Sequence, residues 1–309
     1  SIGIQLVSCL GGSAANTARH LVGVFGEEMD TYLIGAVGDD EIGRVALQVL
    51  GESGLQSWSR NKPATTLGTT TGSCMVLSGK SERAFISCDG ANDLLHIPEC
   101  PDAVAVLNTC NHIHIHGYYN CSGLRTNSFL RFLIDLKKKK EPEKLTISLD
   151  TQWDASESWV REGENLLELL KIIDIFLPNE PEAEGICKAL TRGGVIKRGG
   201  ENGHKAFDLL SETFCNLVVV QKLGENGCQS RGRESEIVSV SAEEVKVVDT
   251  TGAGDAFDAG FLGRWVTMDG QDKVSRKTLE LANIMGGLVV GREGACNPPL
   301  QRGDVKDYI

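Results

Sequence analysis

The chain has 309 residues, 41% of them hydrophobic and 24% charged, and a formal net charge of −11. These values describe a folded globular protein with room for one large α/β domain and an appendage, or for two ordinary domains. The acidic balance excludes a general nucleic-acid or anionic-membrane binder, while a locally positive site for a small anion stays compatible with it.

In chain order, short β-like runs alternate with amphipathic helical stretches. "IQLVSCL" (residues 4–10) and "TYLIGAV" (31–37) read as strands. "DDEIGRVALQVL" (39–50) reads as a helix, because Ile42, Val45, Ala46, Val49 and Leu50 share a face and Gly51 and Gly54 stop it. Residues 61–92 are rich in Thr and Gly and β-like, with "SGKSE" as a turn and no helix between. An antiparallel hairpin set into an α/β chain is commonly a lid or an interface. Further along come strand "HIHIHGYY", helix "TNSFLRFLIDLKKKK", strand "KLTISLD", helix "GENLLELLKII", and strands "IDIFLPN", "NLVVVQKLG" and "EEVKVVD". A last helix buries Phe257, Phe261, Leu262 and Trp265. Such alternation predicts βαβ units and a mostly parallel sheet.

Three composition features resolve simply. The run Lys137–Lys140 reads as a solvated helix C-terminus that favours the dipole, with Pro142 blocking continuation, and not as a nucleic-acid patch. His112, His114 and His116 lie on one face of a strand. Zinc ligands from one flat strand seldom converge unaided, so the run reads as partly buried polar residues near a cleft. The ten cysteines are scattered with no C-x-x-C pair, which speaks against zinc ribbons and thioredoxin motifs. With no secretory leader they read as reduced thiols of a cytoplasmic protein, and no apolar run reaches the roughly 20 residues that span a bilayer.

The chemistry concentrates in "DTTGAGD", residues 249–255, between a strand and a helix. Gly252 and Gly254 let several N–H groups face one way at a helix N-terminus, which makes a cup for an anion. A Walker A loop would need G-K-[ST], and a dinucleotide fingerprint would need glycine where Phe257 stands. Two readings stay open on the pattern. The glycines make a turn and Asp255 interacts with the helix N-terminus. Alternatively, Asp255 takes a proton from an alcohol attacking a bound phosphate, while the 252–255 N–H groups stabilise the transferring phosphoryl group.

"DTTGAGDAF" resembles the C-terminal signature of the ribokinase-like (PfkB) carbohydrate kinases. "GGSAANTARHL" (11–21), "GAVGDDEIG" (35–43), "PNEPEAEGI" (178–186) and "VVVQKLGENG" (218–227) resemble further motifs of that family, in family order and over essentially the whole chain. The resemblance implies a three-layer α/β/α sandwich around a mostly parallel sheet, with a small β-sheet lid. The body would be residues 11–60 and 93–309, and the discontinuous lid residues 1–10 and 61–92. The family's N-terminal strand, with a substrate-holding Asp, is expected upstream of residue 1.

Residue by residue, the resemblance makes Asp255 the catalytic base and Gly252, Ala253 and Gly254 the anion hole. Gly11, Gly12 and Asn16 would bind the acceptor, and Lys222, Gly224 and Gly227 would line the nucleotide. Asn179 and Glu182 would organise Mg²⁺ largely through water, although the same residues also read as a helix start with Pro181 in its first turn. Asp249 and Thr251, near loop 292–297, would bind a monovalent cation such as K⁺, unless Asp249 only braces the loop. The expected cofactors are therefore ATP and Mg²⁺, with K⁺ as an addition. The expected partner is a small sugar, with no nucleic acid or membrane, and with homodimerisation through the lid.

The expected function is ATP-dependent phosphotransfer to a hydroxymethyl group. "SLDTQWDASESW" (148–159) leans toward a ribose, fructose or ketodeoxy-sugar acceptor. Two alternatives remain. One is a nucleoside kinase, against which the 6% aromatic content weighs slightly. The other is a catalytically silent sugar- or nucleotide-binding regulator on the same fold.

Overall fold

The computed structural model describes residues 8–57, 68–78, 83–141, 144–161, 164–196, 205–232, 236–268 and 274–309. Residues 4–7 of the first expected strand, residues 61–67 of the lid segment and most of its turn lie outside the described residues.

A six-stranded sheet forms the middle layer. Strands β5 (His112–His116), β6 (Thr146–Asp150), β7 (Ile175–Phe176) and β8 (Val218–Lys222) run parallel. β9 (Cys228–Arg231) and β10 (Val238–Val240) continue antiparallel on the far edge. Alternation along these strands makes the layers. Ile113, Ile115, Ile147, Leu149, Phe176 and Val219 pack on one face under helices α3 (Pro101–Leu107), α4 (Asn127–Lys139), α5 (Leu166–Ile172), α6 (Glu180–Arg192) and α7 (Ala206–Thr213). Ile175, Leu177, Val218 and Val220 pack on the other, under α1 (Ser13–Phe25), α8 (Ala253–Thr267) and α9 (Arg276–Val290). The result is an α/β/α sandwich.

On the α8 side of β5 and β6 the apolar pattern lapses. Cross-strand pairs there are His112 with Thr146, His114 with Ser148 and His116 with Asp150. Buried polar groups need partners, and this strip sets up the site described below.

Two small sheets stand apart. β1 (Tyr32–Leu33) pairs in parallel with β2 (Gln56–Ser57), ahead of and behind α2 (Glu41–Glu52). β3 (Ser73–Ser78) and β4 (Arg83–Cys88) form the antiparallel hairpin expected in the Thr/Gly-rich segment.

Some elements differ from the sequence reading. The strand expected over 31–37 shrinks to two residues. Residues 243–249, "EEVKVVD", join no sheet: Val245, Val247 and Val248 face solvent, and the Val248 and Asp249 N–H groups bond the Val290 carbonyl. Alternating valines read as a strand, but among the described residues no strand lies alongside to complete a ladder. The β9–β10 edge went unrecognised because "CQSR" and "VSV" are short and carry little apolar signal. The lysine run does end α4, but it is anchored as well as solvated. Lys137 Nζ lies 2.7 Å from Asp174 Oδ2, and Lys140 Nζ donates to the Cys110 carbonyl at 2.6 Å.

Candidate active site

The carboxyl ends of the parallel strands and the N-terminus of α8 meet at one place, where ligands of open α/β sheets are commonly bound. Gly252 is the N-cap of α8, with φ 76°. A Cβ there would lie 2.4 Å from that of Ala295, so side-chain bulk and backbone conformation both require glycine. The tight turn leaves the first N–H groups of α8 without intrahelical acceptors. Asp255 follows in the first turn, almost fully buried.

Asp255 is gripped by α1. Asn16 Nδ2 donates to Asp255 Oδ2 at 2.8 Å, and Thr17 Oγ1 donates to the Asp255 carbonyl at 3.1 Å. Gly12 at φ 95° starts α1, and its carbonyl accepts the Asn16 N–H at 2.9 Å. Gly11 precedes it, with open space where a Cβ would stand. Asn16 Oδ1 is buried and, among the described residues, has no hydrogen-bond partner. Burial raises the Asp255 carboxyl to about 7. The charge of Asp150 adds to that rise, while the Asn16 hydrogen bond and Lys222 oppose it.

Beneath Asp255 lies a buried charge network. Lys222 Nζ donates to Asp150 Oδ2 at 2.6 Å and to Asp258 Oδ1 at 3.1 Å. His116 Nε2 lies 3.3 Å from Asp258 Oδ2, 3.5 Å from Asp150 Oδ2 and 3.7 Å from Asp255 Oδ1. Burial works against the Lys222 charge, but Asp150, Asp258 and Glu182 together raise its pKa. Burial likewise works against ionised Asp150, yet Lys222 and His116 hold it below the carboxylate range. Asp258, with Lys222 as a partial counterweight, is pushed well above that range by burial. His116 is lowered by burial to about 4 and stays neutral. The ammonium of Lys222 also opens onto the glycine loop, since a Cβ on Gly254 would lie 3.8 Å from Nζ.

Asn179 and Glu182 form a full capping box at the start of α6. Asn179 Oδ1 accepts the Glu182 N–H at 2.9 Å, Glu182 Oε2 accepts the Asn179 N–H at 2.9 Å, and Asn179 Nδ2 donates to Glu182 Oε1 at 2.8 Å. The helix-start geometry is thus present in full. Glu182 is buried, and that burial together with the charge of Asp150 raises it to about 7. The Asn179–Lys222 bridge joins this corner to β8.

Gly224 and Gly227 shape the β8–β9 turn at φ 57° and 90°. A Cβ on Gly227 would come within 2.0 Å of the Val240 carbonyl, which gives that glycine a packing reason of its own. Asp249 accepts the Thr251 N–H at 2.9 Å and the Gly294 N–H at 3.1 Å, and so braces the glycine loop against loop 292–297.

Sequence reasoning missed three members of the site. Asp150 ends a strand in a stretch noticed only for its acids. Asp258 lies one helical turn after Asp255, on the same face of α8. His116 was read with its neighbours as generic polar residues. The signal available was that spacing of acids, together with polar letters at every α8-facing position of β5 and β6.

A mostly parallel sheet between two helical layers, with a buried acid in the first turn of the glycine-capped helix α8, defines a three-layer α/β protein. The profile of the pfkB family carbohydrate kinases matches residues 3–302, and the chain belongs to that family. It is similar to an ATP-dependent ribose-1-phosphate kinase of Halopiger xanaduensis, with 27% identity over 94% of this chain and 83% of the relative. It is also similar to a probable fructokinase-7 of Arabidopsis thaliana, with 28% identity over 92% and 79%. Among solved structures, ribokinase from Giardia lamblia superposes with a TM-score of 0.76 at 24% identity, covering 100% of this chain and 93% of that one.

Proposed function

We propose that the protein transfers the terminal phosphoryl group of ATP to a hydroxymethyl group of a small sugar, with Asp255 as general base. The observation that carries this reading is the state of Asp255: a buried carboxyl raised to about 7, held by Asn16 at the N-terminus of α8. A base with that pKa is matched to proton transfer near neutral pH. The acceptor hydroxyl would give its proton to Asp255, and the unpartnered Asn16 Oδ1 would accept from a neighbouring hydroxyl. Gly11 and Gly12 let the backbone approach the sugar closely.

The N–H groups of Gly252, Ala253, Gly254 and Asp255 would hold the transferring oxygens, with Lys222 beside them as the fixed cation. The β8–β9 turn at Gly224 and Gly227 would line the nucleotide. Asn179 and Glu182 are committed to each other, so they suit a magnesium ion that keeps its waters better than one stripped to protein ligands. Bound Mg·ATP supplies the phosphoryl group and much of the charge neutralisation. Asp249, Thr251 and loop 292–297 are the candidate surroundings of a K⁺ ion.

A nucleoside acceptor is the second reading, favoured by one observation. Trp153, in the loop after β6, is 48% exposed and packs edge-on to Trp159 at 5.0 Å, a surface on which a base could stack. A lid role for the β3–β4 hairpin and dimerisation through its apolar strands belong to the same reading. So does a cytoplasmic location, which suits the ten free thiols; among the described residues no helix is long and apolar enough to cross a membrane.

The test is ADP release with Mg·ATP against pentoses, hexoses, ketodeoxy-sugars, sugar phosphates and nucleosides, with and without K⁺. Turnover on one acceptor names the substrate. Silence from folded protein that still binds ATP overturns the kinase reading in favour of a binding regulator.

A further inference from the structure

The polar strip on β5 and β6 ends in an arrangement that phosphotransfer does not require. Its hydrogen bonds form a chain. His112 Nδ1 lies 2.8 Å from Thr146 Oγ1, His112 Nε2 lies 2.8 Å from Ser148 Oγ, and Ser148 Oγ lies 2.8 Å from His114 Nδ1. A serine hydroxyl has one proton to give. If Ser148 donates to His112 Nε2, then His114 Nδ1 must donate to Ser148, and His114 Nε2 is left as a bare lone pair. That nitrogen is buried and, among the described residues, has no hydrogen-bond partner; it faces Asp258 Oδ2 at 3.9 Å.

A metal ion would give that lone pair a partner. One ring nitrogen each of His114 and His116 and an Asp258 carboxylate oxygen lie within 4.8 Å of one another. His116 Nε2 is 3.3 Å from Asp258 Oδ2 and 3.5 Å from Asp150 Oδ2. Ligands at ~2.0–2.1 Å from a tetrahedral ion stand about 3.3–3.4 Å apart; His116 Nε2 and Asp258 Oδ2 already have that separation, and His114 Nε2, 3.9 Å from the same oxygen, reaches it with a small shift. The His114 Nδ1–Ser148 contact is also the kind of outer hydrogen bond that fixes a ligating histidine's tautomer. One flat strand could not close such a site, and Asp258 arrives from α8 to close it. The carboxyls of Asp150 and Asp258 share the ammonium of Lys222.

We propose that His114, His116 and Asp258 form a three-ligand site for a zinc-class dication, separate from the nucleotide magnesium. Two imidazole nitrogens select zinc, cobalt or nickel over magnesium. His116 Nε2 is also 3.7 Å from Asp255 Oδ1. An ion bound here holds Asp255 in an ion pair, so it inhibits the phosphotransfer proposed above; binding itself does not rest on that reading.

The test titrates metal-free full-length protein with Co²⁺ and follows its visible ligand-field absorption, with Zn²⁺ as competitor. Wild type should show intense tetrahedral bands, displaced by zinc. His114→Asn, and His114→Gln as a second variant, should bind Co²⁺ about tenfold or more weakly while keeping the wild-type melting temperature. In the kinase assay both variants should keep their Mg·ATP turnover and lose sensitivity to zinc. Absent bands, or equal affinity in wild type and both variants, overturns the site. Metal bound without inhibition of an active enzyme overturns the inhibitory role. If no acceptor is phosphorylated at all, the kinase reading fails while the cobalt titration still decides the site.

Discussion

At the floor of the cleft, His116, Asp150, Asp255 and Asp258 are buried around the mostly buried Lys222. On the β3–β4 hairpin, Met75, Phe85 and Ile86 are 53%, 59% and 60% exposed. Each region inverts the usual rule of burial, and each inversion carries a cost. Buried charges need one another, because removing one partner strands the rest. Exposed apolar strands need a cover, because contiguous apolar surface invites association. The comparison teaches that departures from ordinary patterning are where to look for partners: a small polar ligand is proposed at the cleft and a second copy at the hairpin.

The largest break in that comparison should come from Asp255→Asn. It keeps the shape of the site and removes the base, so turnover should drop by about 10²–10⁴-fold. Thermal unfolding at pH 8 should show a variant at least as stable as wild type, because the change deletes a buried carboxylate whose raised pKa weakens the fold at that pH. Near-normal turnover would end the case for Asp255 as the base.

Lys222→Met should come next. It leaves Asp150 and Asp258 without their cation, and denaturant unfolding should record a loss of about 3–5 kcal/mol. Adding Asp258→Asn should recover part of it, and an additive double mutant would mean that the two side chains are not coupled.

A smaller effect is the pH profile. A base raised to about 7 is active only when deprotonated, so kcat/KM should rise with pH through about 7 and level off above it. A profile flat from pH 5 to 8 would contradict the raised value.

The smallest effect on stability belongs to the hairpin. Phe85→Ser should change unfolding free energy by within about 0.5 kcal/mol, because the ring faces solvent. Sedimentation should nonetheless move toward monomer if the hairpin joins two copies, and an unchanged sedimentation coefficient would count against that contact.

The same contrast explains what could be read in advance. The sandwich was legible because period-2 and period-3.6 patterns are local: Ile113 and Ile115 alternate whatever lies opposite them. The glycine loop was legible because Gly252 and Gly254 are the residues that such a turn demands. Asp150 and Asp258 were not, because one acid at a strand end and another on a helix look like surface letters until the fold brings them to Lys222. The valines of residues 243–249 failed in the opposite way, showing a strand pattern where, among the described residues, no strand completes the ladder.

The grip of Asn16 on Asp255 joins residues 239 positions apart, and the Leu300 N–H donates to His20 Nδ1 across 280. A ribosome adding roughly 5–20 residues per second takes about 12–48 s to make the 239 residues between the first pair. For most of that interval α1 is already made, with the face meant for α8 uncovered. The cleft between α1 and α8 is therefore among the last parts of the molecule to form.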